Sequence, residues 1–316
     1  MRLPEWLIEQ GVGETRFALV DEGAIVETRV LLEETIPAGT ALRATLKRSG
    51  KPAVAAVGDT EFLLPGGAPT FAEGQAITIE VTRERIPGAE PWKRPLARVT
   101  DGEWRSAELP SGETLALPAP TDRLESNGWS DVLEEARSGL VRFGGGELRL
   151  FATPAMTLID VDGTLPPTDL ARRAADEAAK AILRLGIGGS IGIDFPTVTG
   201  KAARTEVDRA IDSVLPKPFE RTSLNGFGFL QIVRPRRHAS LLELAQDRAP
   251  FEARALLRRV AFEDPGAKRL VAHPAVVAVF DAKPEWLAAL AKQIGGAVTL
   301  RADASVPIHG AYAEKV

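Results

Sequence analysis

Cysteine is absent from this 316-residue sequence, and histidine occurs only three times. Without cysteine the chain has no disulfide, no thiolate zinc site and no cysteine nucleophile. His238, His273 and His309 are widely spaced, without the short intervals of a metal-binding pair, so they predict neither a zinc site nor a Ser-His-Asp triad. Any metal ion here is expected to have oxygen ligands, which favours Mg²⁺ or Mn²⁺.

Long apolar runs are also missing. The aliphatic stretches, such as AVVAVF at residues 275–280, are far shorter than the roughly 20 residues that span a bilayer. The start, MRLPEWLIEQ, lacks the basic region and apolar core of a secretory signal. We therefore expect no membrane segment and a cytoplasmic protein. The net charge of −4 argues against a protein that coats nucleic acid with a basic surface, but it is compatible with a local basic groove.

The first third of the chain has the pattern of β-structure. Two alternating segments within residues 1–36, TRFALVD and AIVETRVLL, predict a β-hairpin. Five short strand-like pieces, separated by glycine and proline turns, fill residues 37–105. They predict a small barrel of the OB type, with a piece of a β-sandwich as the alternative. Residues 106–130 have little periodicity and are interpreted as a linker.

The remaining two thirds alternate between strands and helices, so the predicted fold class is mixed α/β, α+β overall. Residues 131–239 form the predicted α/β domain, in which AMTLIDVD, TDLARRAADEAAKAILRLG and SIGIDF predict a strand, helix and parallel strand. Asp160 and Asp194 fall at the carboxyl ends of those strands, where open α/β sheets bind ligands. Asp162 shares a face with Asp160 because strand side chains alternate. Residues 240–316 predict a small second α/β domain.

The stretch LIDVDGT around Asp160 resembles the first motif of haloacid-dehalogenase-type phosphatases. In that family the first aspartate attacks phosphorus and the second protonates the leaving group. The family also needs a later pair of acids, commonly GDxxxD, and its DxD motif normally lies near the start of the chain. No GDxxxD follows Asp160 here, and some 157 residues precede the motif. The phosphatase is therefore the least favoured of three functional hypotheses.

Four segments in order resemble the bacterial ribonuclease E/G family. In that family a strand ending in IDVN or IDIN precedes a helix, a strand ending IVIDFIDM and a segment SRFGLLEMSRQR. This chain has LIDVDGT, AADEAAKAILRLGIGG, SIGIDFPTV and NGFGFLQIVRPRR in the same order. The opening segment is similar to that family's first hairpin, residues 37–100 to its inserted OB-fold RNA-binding domain, and the last segments to its small dimerisation domain.

The resemblance implies a Mg²⁺-dependent endoribonuclease that cleaves single-stranded RNA. Asp160 and Asp194 match the two family aspartates that bind the catalytic ion. Asp162 stands where the family has an asparagine that orients the first aspartate. A third carboxylate at this position either adds a ligand or repels its neighbours, so Asp162 is a further catalytic candidate.

Seven residues are the candidate RNA contacts. Phe62 corresponds to a family aromatic residue on which a base stacks. The second stacking phenylalanine of the family is replaced here by an aliphatic residue near Val54. Lys93 corresponds to a basic residue of the family that contacts RNA. The arginines lie before and after the GFGFLQIV strand, where phosphate contact competes with a purely solvated role. The full set is Phe62, Lys93, Arg221, Phe227, Arg234, Arg236 and Arg237.

Other departures refine these expectations. Residues 106–130 are much shorter than the family's corresponding segment, which senses a 5′-monophosphate, so we expect cleavage without such sensing. The zinc-link cysteines are missing, which excludes zinc-bridged assembly, while the resemblance allows a homodimer formed through residues 240–316. Asp162, the missing stacking phenylalanine and Gln231 in place of a family glutamate favour the second hypothesis, a catalytically inactive RNA-binding relative.

Overall fold

A computed structural model describes residues 3–88 and 92–316 of the chain. The strands of these residues are, in chain order, β1 Glu5–Gln10, β2 Glu14–Asp21, β3 Ala24–Leu32, β4 Ala41–Arg48, β5 Ala53–Val57, β6 Thr60–Leu64, β7 Ala76–Arg83, β8 Leu96–Val99, β9 Glu113–Leu115, β10 Leu140–Phe143, β11 Gly146–Ala152, β12 Thr157–Gly163, β13 Gly189–Asp194, β14 Glu220–Arg221, β15 Phe229–Arg234, β16 Lys268–Ala272, β17 Val298–Ala302 and β18 Tyr312–Lys315. The α-helices are α1 Trp129–Ser138, α2 Pro167–Arg184, α3 Lys201–Val214, α4 Leu241–Gln246, α5 Arg248–Ala261, α6 Pro274–Ala282 and α7 Pro284–Ile294.

The chain divides into two compact units, each assembled from separate segments. The first unit contains Met1–Glu33, Ser111–Leu133 and Leu244–Val316, and the second contains Glu34–Pro110 and Glu134–Glu243. The sequence interpretation treated the N-terminal hairpin, the linker and the C-terminal segment as three independent pieces. Their grouping depends on pairing across long sequence separations, which local pattern does not encode.

A four-stranded sheet with the order β3-β2-β1-β9 forms part of the first unit. The predicted hairpin between β2 and β3 is confirmed: Asp21 pairs with Ala24 around a turn in which Glu22 and Gly23 both have positive φ. The segment interpreted as a linker contributes β9, which pairs in parallel with β1. Three residues are too few to show a strand alternation in the sequence.

The core of the first unit contains a buried ionic network as well as apolar side chains. Glu9 and Arg16 are fully buried on β1 and β2 and are joined at 2.7 Å. Arg258 of α5 reaches Glu9 at 2.9 Å and Asp122 at 2.5 Å. Burial disfavours the charged guanidinium of Arg258, but the hydrogen bonds and charges of Asp122 and Glu9 outweigh it and raise its pKa.

The C-terminal part of this unit packs helices against a three-stranded sheet with the order β17-β16-β18. Leu257, Phe280, Trp286 and Leu290 are among its buried residues, and Leu287 packs against them. No helix in the described part of the chain is long and apolar enough to cross a bilayer.

In the second unit, β4-β5-β6-β8-β7 form a closed barrel, which confirms the predicted small barrel. Alternate residues of the strands point inward and fill its centre, among them Leu46, Phe62, Leu64 and Ile79.

The rest of the second unit is a six-stranded sheet with the order β10-β11-β12-β13-β15-β14. Strand β12 runs parallel to β13, as the strand-helix-strand pattern predicts, whereas β15 runs antiparallel to β13. Helix α2 packs against β10, β11, β12 and α3. Thr157, Ile159 and Val161 of β12 are buried, while Leu158, Asp160 and Asp162 are exposed. One face of the sheet is therefore covered, and the other is open.

Candidate functional site

Asp160 and Asp194 lie side by side on the open face of the six-stranded sheet. They are direct register partners on the parallel strands β12 and β13. Register partners on neighbouring strands share a face and are separated by about 4.8 Å, so both carboxylates project from one spot. The sequence-predicted convergence of these two acids is thus present in the fold.

The alternation of β12 explains why its acids are exposed. Ile159 and Val161 are buried under the helical layer, and this fixes the register that sends Asp160 and Asp162 to the other face. A shift of one residue would bury both aspartates, at a high cost in desolvation. The apolar residues of the core therefore position the polar residues of the site.

The immediate surroundings of the aspartates are acidic. Asp162 lies opposite Glu147 on β11, and Asp160 lies opposite Arg149. Arg149 is the counter-charge of the group and binds Glu147 at 2.7 Å. Its hydrogen bond with Glu147 is the main cause of its raised pKa, and the charges of Glu147, Asp162 and Asp160 add to it. Four carboxylates and one arginine leave a local excess of negative charge.

Among residues 3–88 and 92–316, no three or more histidine, aspartate or glutamate side chains are arranged to hold a metal ion. The candidate metal site is therefore a pair, Asp160 and Asp194. Asp162 accepts a hydrogen bond from the backbone NH of Gly163 at 2.8 Å. It lies on the same face as Asp160 but two residues further along the strand and outside the pair.

Phe227 and Phe229 are near the carboxylate pair because β15 begins there. Phe229 is the register partner of Asp194, and the backbone NH of Phe195 donates to the carbonyl of Gly228 at 2.8 Å. Phe227 is 88% exposed at the start of this strand. Of the predicted RNA contacts, Phe227 is the one that the fold brings to the aspartates.

Arg234, Arg236 and Arg237 lie at or beyond the end of β15 that is far from the aspartates, so the fold does not bring these candidate RNA contacts to the metal site. Since β15 is antiparallel to β13, Arg234 pairs with Gly189, the first residue of β13. Five residues separate that position from Asp194, a distance of about 16 Å along a strand. Arg234 also donates to the Ile187 carbonyl, and Arg236 forms an ion pair with Glu243.

Arg221 is also displaced from the open face. It is the register partner of the buried Ile232, so its side chain lies on the helical side of the sheet. There it binds Asp212 of α3 at 2.5 Å and Asp208 at 3.3 Å. The hydrogen bond to Asp212 is the main cause of its raised pKa. These contacts give Arg221 a structural role in place of the predicted phosphate contact.

On the barrel, Phe62 is 1% exposed and belongs to the core. It borders a cleft of about 360 Å³ but offers no free face for a base, so the stacking role expected from the resemblance does not fit its burial. Lys93 lines the same cleft together with Arg85, Arg94 and the exposed Trp92. Trp92 is the aromatic residue that the sequence interpretation missed at this position.

Two further residues of the open face were not predicted. Phe151 on β11 and Leu158 on β12 are register partners and are 53% and 37% exposed. The exposure of Leu158 follows from the same alternation as that of Asp160, two positions earlier in β12. Predicting that Phe151 lies beside Leu158 requires knowing that β11 pairs with β12, which the sequence does not specify.

No protein-family model matches this chain, and no curated protein matches it.

Proposed function

We propose that this protein is a Mg²⁺-dependent endoribonuclease that cleaves single-stranded RNA, and that it is a compact relative of the ribonuclease E/G family. The observation that carries the proposal is the register of Asp160 with Asp194, which brings two exposed carboxylates to one spot on an open sheet. They are the two residues that the family resemblance assigns to the ion. Cleavage is proposed to be independent of the 5′-phosphorylation state of the RNA.

The carboxylate pair fits a hard divalent cation. Two adjacent carboxylates can hold Mg²⁺ and leave its remaining positions to water and a phosphate oxygen. When bound, the ion would activate water and neutralise charge on the scissile phosphate. Arg149 cannot replace it, because its guanidinium is already bound to Glu147. Without a cation the surplus of carboxylates would repel RNA.

The closed five-stranded barrel supports single-stranded RNA as the substrate. We propose that it is an OB-type barrel, a fold whose surface binds oligonucleotides. The cleft with Trp92, Lys93 and Arg85 combines an exposed aromatic ring with cationic groups, the two features of single-strand binding sites. Glu34, Asp59 and Glu61 also line it, and Glu61 is paired with Arg94 at 2.8 Å.

The alternative is an RNA-binding relative without catalytic activity. It is favoured by the lack of a third metal-binding group beside Asp160 and Asp194 within the described residues. The phosphatase hypothesis is weaker, because no GDxxxD segment follows Asp160 to complete that family's metal site.

The test is cleavage of a labelled single-stranded RNA in Mg²⁺ and in EDTA. We expect cleavage by the native protein in Mg²⁺ only, and loss of cleavage in Asp194→Asn. Asp281→Asn removes an exposed carboxylate from α6 and serves as the matched control, which should cleave as the native protein does.

RNA affinity of each variant is measured in parallel with a fluorescent oligonucleotide. If the native protein binds RNA without cleaving it, the nuclease proposal is contradicted and the alternative, an inactive RNA-binding relative, is supported. Release of phosphate from a phosphomonoester, with RNA left intact, would favour the phosphatase.

A further inference from the structure

An apolar strip borders the carboxylate pair on the open sheet face. It consists of Phe151, Leu158 and Phe229, on three different strands. Phe151 and Leu158 are register partners, and the row next to them contains Arg149, Asp160 and Asp194. Phe151 and Leu158 are exposed on adjacent strands and Phe229 is half-buried, and contiguous apolar side chains on a surface often mark a binding site.

Gly192 makes the strip continuous. It is the register partner of Leu158, and a Cβ atom at its position would lie 2.6 Å from Cζ of Phe229 and 3.1 Å from Cδ2 of Leu158. The ring of Phe229 thus leans from the Asp194 row over Gly192, toward the side of Leu158. A side chain at position 192 would displace it.

We infer that this strip stacks the base of the nucleotide next to the scissile phosphate. Residues two apart on a strand are separated by about 7 Å, the scale of a single nucleotide. A phosphate held at Asp160 and Asp194 by a cation would therefore bring its neighbouring base over Leu158 and Phe151. Stacking on aromatic side chains of an open sheet is an established mode of RNA recognition.

A nucleobase is a better occupant than another protein surface. The strip is narrow and is bordered by the carboxylates of Asp160 and Asp194, with Glu147 and Asp162 in the row beyond, and an apolar partner surface would have to desolvate the bordering pair. A nucleotide needs only one apolar protein surface on which its base can stack, and its phosphate extends toward the carboxylates that bind the cation. The inference rests on the proposed function, since it assumes that the phosphate is held there.

The test combines Phe151→Ala with RNA that lacks one base beside the cleavage position. We expect Phe151→Ala to reduce kcat/KM about ten-fold on intact RNA, which is typical of losing one stacked base. The abasic RNA should be cleaved about ten-fold more slowly by the native protein, with no further loss in Phe151→Ala. Phe151→Trp should restore cleavage of intact RNA.

Val233→Ala is the matched control. Val233 is exposed on the same face but lies four residues along β15 from Phe229, away from the aspartates, so its loss should leave cleavage unchanged. Gly192→Ala provides a second variant in which the strip is disturbed without removing an aromatic ring. It should lower kcat/KM on intact RNA more than on abasic RNA.

Failure of this inference and failure of the proposed function give different results. Cleavage that is unaffected by Phe151→Ala or by the abasic position would overturn the base-stacking role of the strip and leave the nuclease proposal standing. A change from dimer to monomer in Phe151→Ala, measured by light scattering, would assign the strip to a second copy and overturn the inference.

If the native protein does not cleave, the strip is tested by binding alone. In the otherwise native protein, Phe151→Ala should weaken affinity for intact RNA in Mg²⁺ and leave affinity for abasic RNA unchanged. That result would support the strip although the nuclease proposal has failed. Equal affinities for both RNAs in both proteins would overturn it.

Discussion

At the scale of single residues, the function of a charged side chain depends on the face of the sheet to which it belongs. Asp160 and Arg221 both lie on strands of one sheet, yet only the aspartate projects from the open face. The cores under these strands decide the difference, because burial of Ile159 and Ile232 fixes the alternation. Proximity in sequence to a motif is a poor guide to such roles.

Asp162→Asn is predicted to keep the catalytic activity. An asparagine oxygen can accept the same hydrogen bond from the NH of Gly163. The substitution also removes one negative charge from an acidic surface, so RNA should approach more easily. We expect kcat/KM equal to or several-fold above that of the native protein, with the gain largest at low ionic strength. A large loss of kcat at all salt concentrations would show that Asp162 is a metal ligand.

Arg221→Ala is predicted to destabilise the fold without weakening RNA binding. The arginine joins β14 to α3 through Asp208 and Asp212, and without it Asp212 loses its ion pair while Asp208 keeps the NH of Leu224 as a partner. We expect unfolding in urea to require about 1–2 kcal/mol less free energy. Arg237→Ala, an exposed arginine, is the control and should leave stability unchanged. Weaker RNA binding by Arg221→Ala with unchanged stability would contradict its structural role.

At the scale of elements, buried charges and exposed charges contribute very differently to the stability of the fold. The network of Glu9, Arg16 and Arg258 joins the first hairpin to α5 across 249 positions in the sequence. It has no signature in local periodicity, since the same residue types are usually solvated.

The start of helix α2 also differs from what its local sequence suggests. Thr168 resembles a helix cap, but the helix begins at Pro167 and no side chain caps it. Proline suits the first helical position because that NH has no intrahelical partner.

Arg258→Ala is predicted to be among the most destabilising substitutions in the first unit. It leaves Glu9 buried with one cationic partner fewer and removes the bonds to Asp122. Loss of one member of a buried pair costs about 3–5 kcal/mol. Arg123→Ala breaks the more exposed pair with Glu113 and should cost less than about 1 kcal/mol. Similar unfolding free energies for both variants in urea would contradict the importance of burial.

The barrel is predicted to lose stability in acid through Glu80 of β7. Hydrogen bonds from Arg98, opposed by burial and aided by the charges of Arg98 and Arg105, lower the pKa of Glu80 from its ordinary value of 4.5. A lowered carboxyl pKa stabilises the fold above pH 4.5, and this contribution disappears as the pH falls through the folded-state pKa.

Glu80→Gln should therefore reduce thermal stability at pH 7 and have little effect at pH 3. Because both arginines are largely exposed, the loss at pH 7 is expected to be no more than about 1 kcal/mol. A destabilisation of equal size at both pH values would mean that the carboxylate charge contributes nothing. Melting curves across this pH range make the comparison.

At the scale of the whole molecule, much of the architecture could be predicted. The hairpin, the closed barrel and the parallel β12–β13 pair followed from alternation, turn residues and the strand-helix-strand rule. The candidate metal pair followed from the same rule, because Asp160 and Asp194 form the last register pair of the parallel strands, although β12 itself continues to Gly163. The antiparallel direction of β15 could not be predicted, and this direction places Arg234, Arg236 and Arg237 far from the aspartates. Strand direction depends on connections and packing beyond any local segment.

The central claim is that Asp160 and Asp194 act together, through one cation, in RNA cleavage. It is tested most directly by single-turnover cleavage with the native protein, Asp160→Asn, Asp194→Asn and the double variant. Each single substitution should cost about a thousandfold or more, since ion-assisted stabilisation contributes several kcal/mol. The double variant should lose no more than either single one, because the residues form a unit. Independent, additive losses, or full activity in either single variant, would contradict the claim.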